Sequence, residues 1–259
     1  MKITHNTILI TGGGSGIGRA LAEAFHNLGN QVIISGRGKK ALDETTAANP
    51  GMKSLTLDVA DAASIRSFAA RVAEAYPTLN VLINNAGIMR PEDLLAHPEN
   101  LVDAEATITT NLLGPIRLTA ALLPLLQKQA HATIMNVSSG LAFVPLAMTP
   151  TYCATKAALH SYTQSLRYQL KETAVEVLEL IPPYVATKLM GDHQAEDPRA
   201  MPLEEFITEV MDILKTQPAA TEICVKKVDS LRFAADGGQE KYEQVFQGLN
   251  AAMTAEATA

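Results

Sequence analysis

Two tyrosine–lysine pairs in this chain have a spacing suited to proton transfer: Tyr152 with Lys156, and Tyr184 with Lys188, each four residues apart. On a helix, residues four apart share a face, so the ammonium can lie beside the phenol. Reducing a carbonyl needs a proton donor at oxygen while hydride arrives at carbon. A phenol titrates near 10, too high for a good donor at neutral pH. An ammonium about 4 Å away contributes about 4 kcal/mol at an effective dielectric near 20, enough to lower the phenol by about three pH units. Such a pair arises readily by chance, so its surroundings must decide. Cys153, next to Tyr152, reads as a small buried helix cysteine, not a nucleophile.

Any such chemistry needs a hydride source. Thr11-Gly12-Gly13-Gly14-Ser15-Gly16-Ile17-Gly18 lies between a β-branched run, Thr7 to Thr11, and a helical stretch, Ile17 to Leu28. Glycines allow a tight turn and close approach of a pyrophosphate. The following helix offers free N–H groups and the positive end of its dipole. A glycine turn alone is weak, but the strand before it and the helix after it are the context that dinucleotide binding requires.

The elements that position these residues alternate along the chain. Strands are expected at Ile8–Thr11, Gln31–Ser35, Ser54–Leu57, Val81–Ile83, Thr133–Val137 and Val175–Ile181. Helices are expected at Lys39–Ala48, Ala62–Tyr76, Tyr152–Lys171 and Leu203–Lys215, with a long one over Glu99–Gln129 kinked at Pro115. Near-continuous apolar strands and repeated βα units imply an α/β fold: a Rossmann-like, doubly wound parallel sheet of six or seven strands with helices on both faces. No linker or repeat divides the chain, so residues 1–259 are expected to form a single domain, with the end, 251–259, frayed.

With these elements in order, the chain resembles the short-chain dehydrogenase/reductase family over residues 5 to about 190. Thr-Gly-x-x-x-Gly-x-Gly at 11–18, Asn84-Asn85-Ala86-Gly87, Asn111, Ser139 and Tyr152-x-x-x-Lys156 follow one another in the family's order. Ser139 stands 13 residues before Tyr152, whereas the position 13 before Tyr184 is Lys171, so Tyr152–Lys156 is the matching pair. The resemblance implies four catalytic residues. Tyr152 is the acid/base, Lys156 lowers the phenol and holds the nicotinamide ribose, Ser139 bonds the substrate oxygen, and Asn111 positions a water in a proton relay. It also implies a cofactor surface of Thr11, Gly12, Gly14, Ser15, Gly16, Ile17, Gly18, Asp58, Val59, Asn85, Ala86, Gly87, Pro182 and Thr187, besides Tyr152 and Lys156. Members that prefer NAD usually carry an acidic residue where Gly36 stands. Here no carboxylate opposes a 2′-phosphate, and Arg37 can pair with one, so NADP(H) is expected before NAD(H).

Two departures from the family stand out. Pro183 replaces the usual glycine after Pro182, so the loop there must differ. The stretch Ser230–Ala235 before Asp236-Gly237-Gly238 reads as helix, which puts the usual seventh strand in doubt. That favours a homodimer through the helices of Asn111 and Tyr152 over a tetramer.

The expected activity is hydride transfer between NADP(H) and a carbonyl or secondary alcohol; the alternative is an NADP(H)-binding sensor without turnover. Met89, Leu141, Phe143, Pro145, Met148, Tyr184 and Met190 are candidates for an apolar pocket suited to a medium-sized ketone or aldehyde. The polar segment 188–202 is expected to be a lid over it. A net charge of −6 without a basic run argues against nucleic acid or an anionic membrane as partner. No apolar stretch reaches 18 residues, so no membrane span is expected. Two cysteines, Cys153 and Cys224, form neither a disulfide framework nor a metal-ligand spacing, so no metal is expected, and a cytoplasmic location is.

Overall fold

The computed structural model describes residues 1–96 and 99–254. Among them, seven parallel strands form one sheet in the order β3-β2-β1-β4-β5-β6-β7. The strands are β1 (Thr7–Thr11), β2 (Gln31–Gly36), β3 (Lys53–Thr56), β4 (Val81–Asn84), β5 (Ala132–Val137), β6 (Val175–Ile181) and β7 (Glu222–Cys224). The strand order reverses between β1 and β4. At such a switch point the loops leaving the two strands diverge, and a crevice opens at their carboxyl ends.

The strands alternate their side chains between two cores. Ile8 and Ile10 of β1 face one layer with Val32, Ile34 and Ile83. Helix α1 (Gly16–Asn27) covers this layer through Leu21 and Phe25, α2 (Lys39–Ala48) through Leu42, and α8 (Leu203–Thr216) through Phe206 and Val210. Leu9, Ile33, Leu82, Ile134 and Val177 face the other layer. There they meet Phe68 and Val72 of α3 (Ala62–Ala75), Leu118 and Leu122 of α5 (Gly114–Leu126), and Leu166 and Leu170 of α6 (Pro150–Leu170). A fully buried side chain of this kind contributes about 1.5–3 kcal/mol, so these two layers hold the sheet in place.

The expected kink lies just before Pro115. Helix α4 (Val102–Ile108) passes into a π-helical turn, Thr109–Leu113, and then into α5. Proline has no N–H, so Asn111 cannot receive the α-helical bond from residue 115. Gly114 N–H instead reaches back five residues to the Thr109 carbonyl. Residues 102–126 together are long and apolar enough to cross a membrane by length and composition. In this fold their apolar face, including Leu118 and Leu122, is buried on the sheet.

The C-terminal third corrects the expectation that a seventh strand is missing. A seventh strand is present, but it comes before the helical stretch and is three residues long, pairing Ile223 with Leu180. The stretch Ser230–Ala235, read as helix, falls in α9 (Asp229–Arg232) and a 3₁₀ turn, Ala234–Gly237, with Phe233 between them. The chain then forms a long helix, α10 (Gly238–Thr254), which takes in residues 251–254 of the segment expected to fray; 255–259 lie outside the described residues. The half-buried side chains of Tyr242, Phe246, Leu249 and Met253 follow helical spacing along it.

Candidate active site

The two loops at the switch point are tied together by Thr11. Its hydroxyl accepts the backbone N–H of Asn85 and of Ala86, both at 3.0 Å, and Asn85 Nδ2 donates to the Thr11 carbonyl at 2.9 Å. Gly12 has φ +68, and a Cβ there would lie 2.9 Å from Asn85 Nδ2. Only glycine meets both demands at that position. Gly18 supports the turn from beneath, since a Cβ there would come within 2.4 Å of the Gly12 carbonyl oxygen.

The loops enclose a cleft of about 630 Å³. Gly12, Gly14, Ser15, Gly16, Ile17, Asn85, Ala86, Gly87, Ser139, Tyr152, Lys156, Pro182 and Thr187 all line it. A smaller pocket of about 130 Å³ adjoins it and is lined by Thr11, Gly36, Arg37, Asp58 and Val59. Of the residues expected to contact cofactor, Gly18 alone lines neither space. The two spaces share Gly12, Ala86 and Gly87. The backbone cradle at the glycine turn, the helix N-terminus behind it and Arg37 at the far end fit a dinucleotide. A larger depression of about 1360 Å³ lies around the opposite, amino-terminal ends of the strands, near Asn6, Asn80 and His131, away from this chemistry.

Tyr152, Lys156 and Ser139 meet at the inner end of the cleft. Proline at the start of α6 suits the first turn, where N–H groups have no intrahelical partner. It launches the helix so that Tyr152 and Lys156 share one buried face. Ser139 caps a short 3₁₀ turn after β5, its hydroxyl accepting the Leu141 N–H at 3.1 Å and bonding to the Tyr152 phenol. Lys156 Nζ donates to the Val137 carbonyl at 2.8 Å and lies 5.6 Å from the centre of the Tyr152 ring.

The electrostatics differ from the sequence expectation. Burial pushes the Tyr152 phenol above its ordinary range, against a lowering by the Ser139 hydrogen bond. Burial also lowers the Lys156 ammonium to about 8, and the nearby Glu179 carboxylate opposes that shift. The expected depression of the phenol by lysine is therefore absent: loss of hydration outweighs a cation whose hydrogen bond is spent on Val137.

Asn111 sits one layer behind, fully buried. Its Oδ1 accepts the Ile88 N–H at 2.9 Å and its Nδ2 donates to the Ile88 carbonyl at 2.8 Å, so the side chain clamps the loop after β4. A Cβ on Gly87 would fall 3.3 Å from Asn111 Oδ1 and 3.8 Å from Lys156 Nζ, which places those groups around one point.

A second cavity, about 250 Å³ and mainly apolar, opens off the cleft and shares Ser139, Tyr152, Pro182, Pro183, Leu189 and Gln194 with it, of which Ser139 and Tyr152 carry hydroxyls. Met89, Leu141, Tyr184 and Met190 line it as expected. Phe143, Pro145 and Met148 do not. The Phe143 ring is turned away, edge-on to His160 at 4.7 Å and beneath the Arg232 guanidinium at 4.5 Å. In their place stand Leu146, Leu231, and Leu249, Ala252 and Met253 of α10. Arg199 lines one side, bonded to Asp197 through Nε and Nη2, with its Nη1 donating to the Ala252 carbonyl at 2.9 Å. The Tyr184 hydroxyl also donates to Asp197, at 3.1 Å, and this guanidinium-led set holds the Asp197 carboxyl well below the usual range.

Segment 188–202 carries α7 (Asp192–Glu196), with Gln194 as a buried polar anchor. Gln194 Nε2 donates to the Val185 carbonyl at 2.8 Å and to the Thr187 hydroxyl at 3.2 Å. At its end Met201 pairs with Val185 in an isolated bridge. Its apolar anchor, Met201, and its polar one, Gln194, had no periodic signal to reveal them.

Comparison with known proteins adds to this geometry. The family model described as short chain dehydrogenase matches residues 6–198. The uncharacterized oxidoreductase DltE of Bacillus subtilis (strain 168) is 42% identical over 253 residues, covering 96% of this chain and 98% of its own. A short chain dehydrogenase from Burkholderia cenocepacia J2315, solved in complex with NADP, superposes with a TM-score of 0.80 at 24% identity, covering 95% of this chain and 99% of that one. A short chain dehydrogenase/reductase from Burkholderia phymatum, in complex with NAD, superposes with a TM-score of 0.78 at 21% identity, covering 91% and 95%.

Proposed function

Because this chain belongs to the short-chain dehydrogenase family, we propose that it is an oxidoreductase interconverting an apolar, medium-sized carbonyl compound and its alcohol, with NADP(H) as cofactor and Tyr152 as acid/base. One observation carries the reading: the apolar cavity and the dinucleotide cleft meet at Ser139 and Tyr152. A carbonyl held in that cavity has its oxygen beside two hydroxyls and its carbon facing the cleft.

When bound, the nicotinamide supplies hydride in reduction and accepts it in alcohol oxidation. The chain's own residues do the rest. Tyr152, a neutral phenol in this buried site, donates its proton to the carbonyl oxygen. Ser139 stabilises the negative charge developing there. Lys156 sits on the same helix face and compensates the phenolate left behind. Asn111 holds the loop that carries Gly87 and Ile88 and directs a proton path toward Lys156. Thr187, braced by Gln194, faces the cleft where a carboxamide would lie. The apolar walls exclude water and favour an uncharged substrate, and segment 188–202 serves as the lid.

The 2′-phosphate preference is supported by Arg37, which lines the outer pocket where β2 ends in Gly36 without a carboxylate. We also infer a homodimer through α4, α5 and α6, where α4 exposes Val102 and Ile108 and α6 exposes Tyr168. The test of function is oxidation of NADPH, followed by its absorbance, against apolar and carboxylate-bearing carbonyl compounds. Turnover of apolar ketones or aldehydes is expected. Binding of NADPH with no turnover of any carbonyl or alcohol would favour a nucleotide sensor instead.

A further inference from the structure

Strand β6 carries a glutamate where an apolar residue would be expected. Its side chain, Glu179, is fully buried, and the chemistry above leaves it without a role. A buried carboxylate is tolerated only when its oxygens are satisfied. Ser138 Oγ donates to one at 2.5 Å, and His160 Nδ1 donates to the other at 2.8 Å. Glu222 of β7 lies beside it in register, a like charge, and is in turn bonded by Arg232 at 2.7 Å.

This cluster sits directly behind Lys156. Ser138 follows Val137, the residue whose carbonyl accepts the Lys156 ammonium. His160 is one helical turn beyond Lys156 on α6, so both point at the end of β5 and β6. The ionisable groups around Glu179 are Lys156 and His160 from α6, Glu222 and Cys224 from β7, and Arg232 from α9. Lys156 itself lies over the Tyr152 ring at 5.6 Å and is acted on by the Glu179 charge. Arg232 is engaged by Glu222 and His160 is held in the hydrogen bond to Glu179, while Glu179 is the carboxylate whose charge acts on Lys156.

We propose that Glu179, fixed by Ser138 and His160, is a positioning residue that acts as the buried countercharge of Lys156 and keeps it an ammonium beside Tyr152. This rests on the Tyr152–Lys156 reading above. Without the negative charge, Lys156 loses its proton at lower pH. That draws the basic limb of carbonyl reduction to lower pH, because the ammonium is needed to compensate the phenolate that proton donation leaves behind.

The test is urea unfolding of wild type, K156M, E179Q and E179Q/K156M across about pH 5.5 to 10. A lysine less basic in the folded than in the unfolded chain makes stability rise with pH as the folded form sheds its proton. Subtracting each K156M partner isolates that rise. In E179Q it should begin about one pH unit lower than in wild type. E179D, which keeps the charge, should leave it near the wild-type position. An unmoved rise in E179Q, or an equal displacement in E179D, overturns the proposal. Should E179Q not fold, E179T with its own K156M partner carries the same expectation, since threonine suits a strand and leaves room for water between Ser138 and His160. The cycle needs no turnover, so its failure leaves the catalytic reading intact. An active Y152F would sink that reading without touching the cycle.

Discussion

The dinucleotide cleft and the apolar cavity meet at Tyr152, yet they are built by different rules. The cleft is made of backbone. Gly12 sits at φ +68 against Asn85, Thr11 ties two loops through its hydroxyl, and Gly18 leaves room for the turn above it. Each position admits one or two residue types. The cavity is made of side chains from six separate stretches, around Met89, Leu141, Tyr152, Met190, Leu231 and Met253, and at its apolar positions other apolar residues of suitable size would serve. One half can thus stay fixed while the other changes substrate. Substitutions in the first should abolish function, and those in the second should retune it.

The largest effect is expected at the junction itself. Y152F keeps the ring and its packing and removes the proton donor, so turnover should fall by about 10² to 10⁴, the range for a lost general acid. NADPH affinity, followed by fluorescence titration, should hold near wild type. Activity close to wild type would remove Tyr152 from the chemistry and with it the distinction between the two halves.

K156M should also abolish turnover, but it separates function from stability. Lys156 is buried and lowered to about 8, below its value in an unfolded chain. The unfolded state therefore holds the extra proton between about pH 8 and 10.5, and wild-type stability rises with pH across that window. Below it the buried charge costs up to roughly 3 kcal/mol, at 1.36 kcal/mol per pH unit. K156M should consequently be the more stable protein at pH 7, with the gain shrinking toward pH 10. Urea midpoints at the two pH values decide it; a K156M protein that is less stable at pH 7 would mean the ammonium is fully compensated where it lies.

The same division explains what could be read from the chain before its fold was known. The glycine turn, Asn85–Gly87, Ser139 and Tyr152–Lys156 were legible because backbone geometry and proton transfer restrict residue type. Strand β7 was not, because three residues with one fully buried side chain, Ile223, give no alternation to detect. Helix α10 had a signal, the spacing of Tyr242, Phe246, Leu249 and Met253, but its apolar side is only half-buried and the helix opens on Gly238, directly after Gly237. Phe143, Pro145 and Met148 misled because apolar character says nothing of direction: Phe143 serves His160 and Arg232 instead of the cavity. Glu179 was visible as a charge inside an apolar run, and only its partners on β5 and α6 give it meaning.

A smaller effect is expected at the outer end of the cleft. Arg37 is exposed and lines the pocket beyond Gly36. If it pairs with a 2′-phosphate, R37A should weaken NADPH by about 1.5 to 3 kcal/mol, the range for a hydrogen bond to a charged group. NADH should be nearly unaffected. Equal losses for both cofactors would assign Arg37 to adenine stacking and leave the cleft without a phosphate selector.

The smallest effect belongs to the cavity, and it tests the comparison most directly. Met253 reaches the pocket from α10, whose last turns are held over it where Arg199 Nη1 meets the Ala252 carbonyl. M253A removes a flexible, half-buried side chain from the cluster that packs around Tyr152 and leaves Ser139 and Lys156 in place. A pocket contact of this size contributes about 1 to 3 kcal/mol to discrimination between substrates, with the low end expected for partial burial. The loss should therefore appear in KM for small apolar carbonyls, with kcat nearly constant, because the contact is the same in ground and transition states. Bulkier ketones should lose less or gain, since the enlarged cavity admits them. NADPH affinity should not move. A fall in kcat for all substrates alike would mean that α10 positions Tyr152 itself, and that the two halves are not separable.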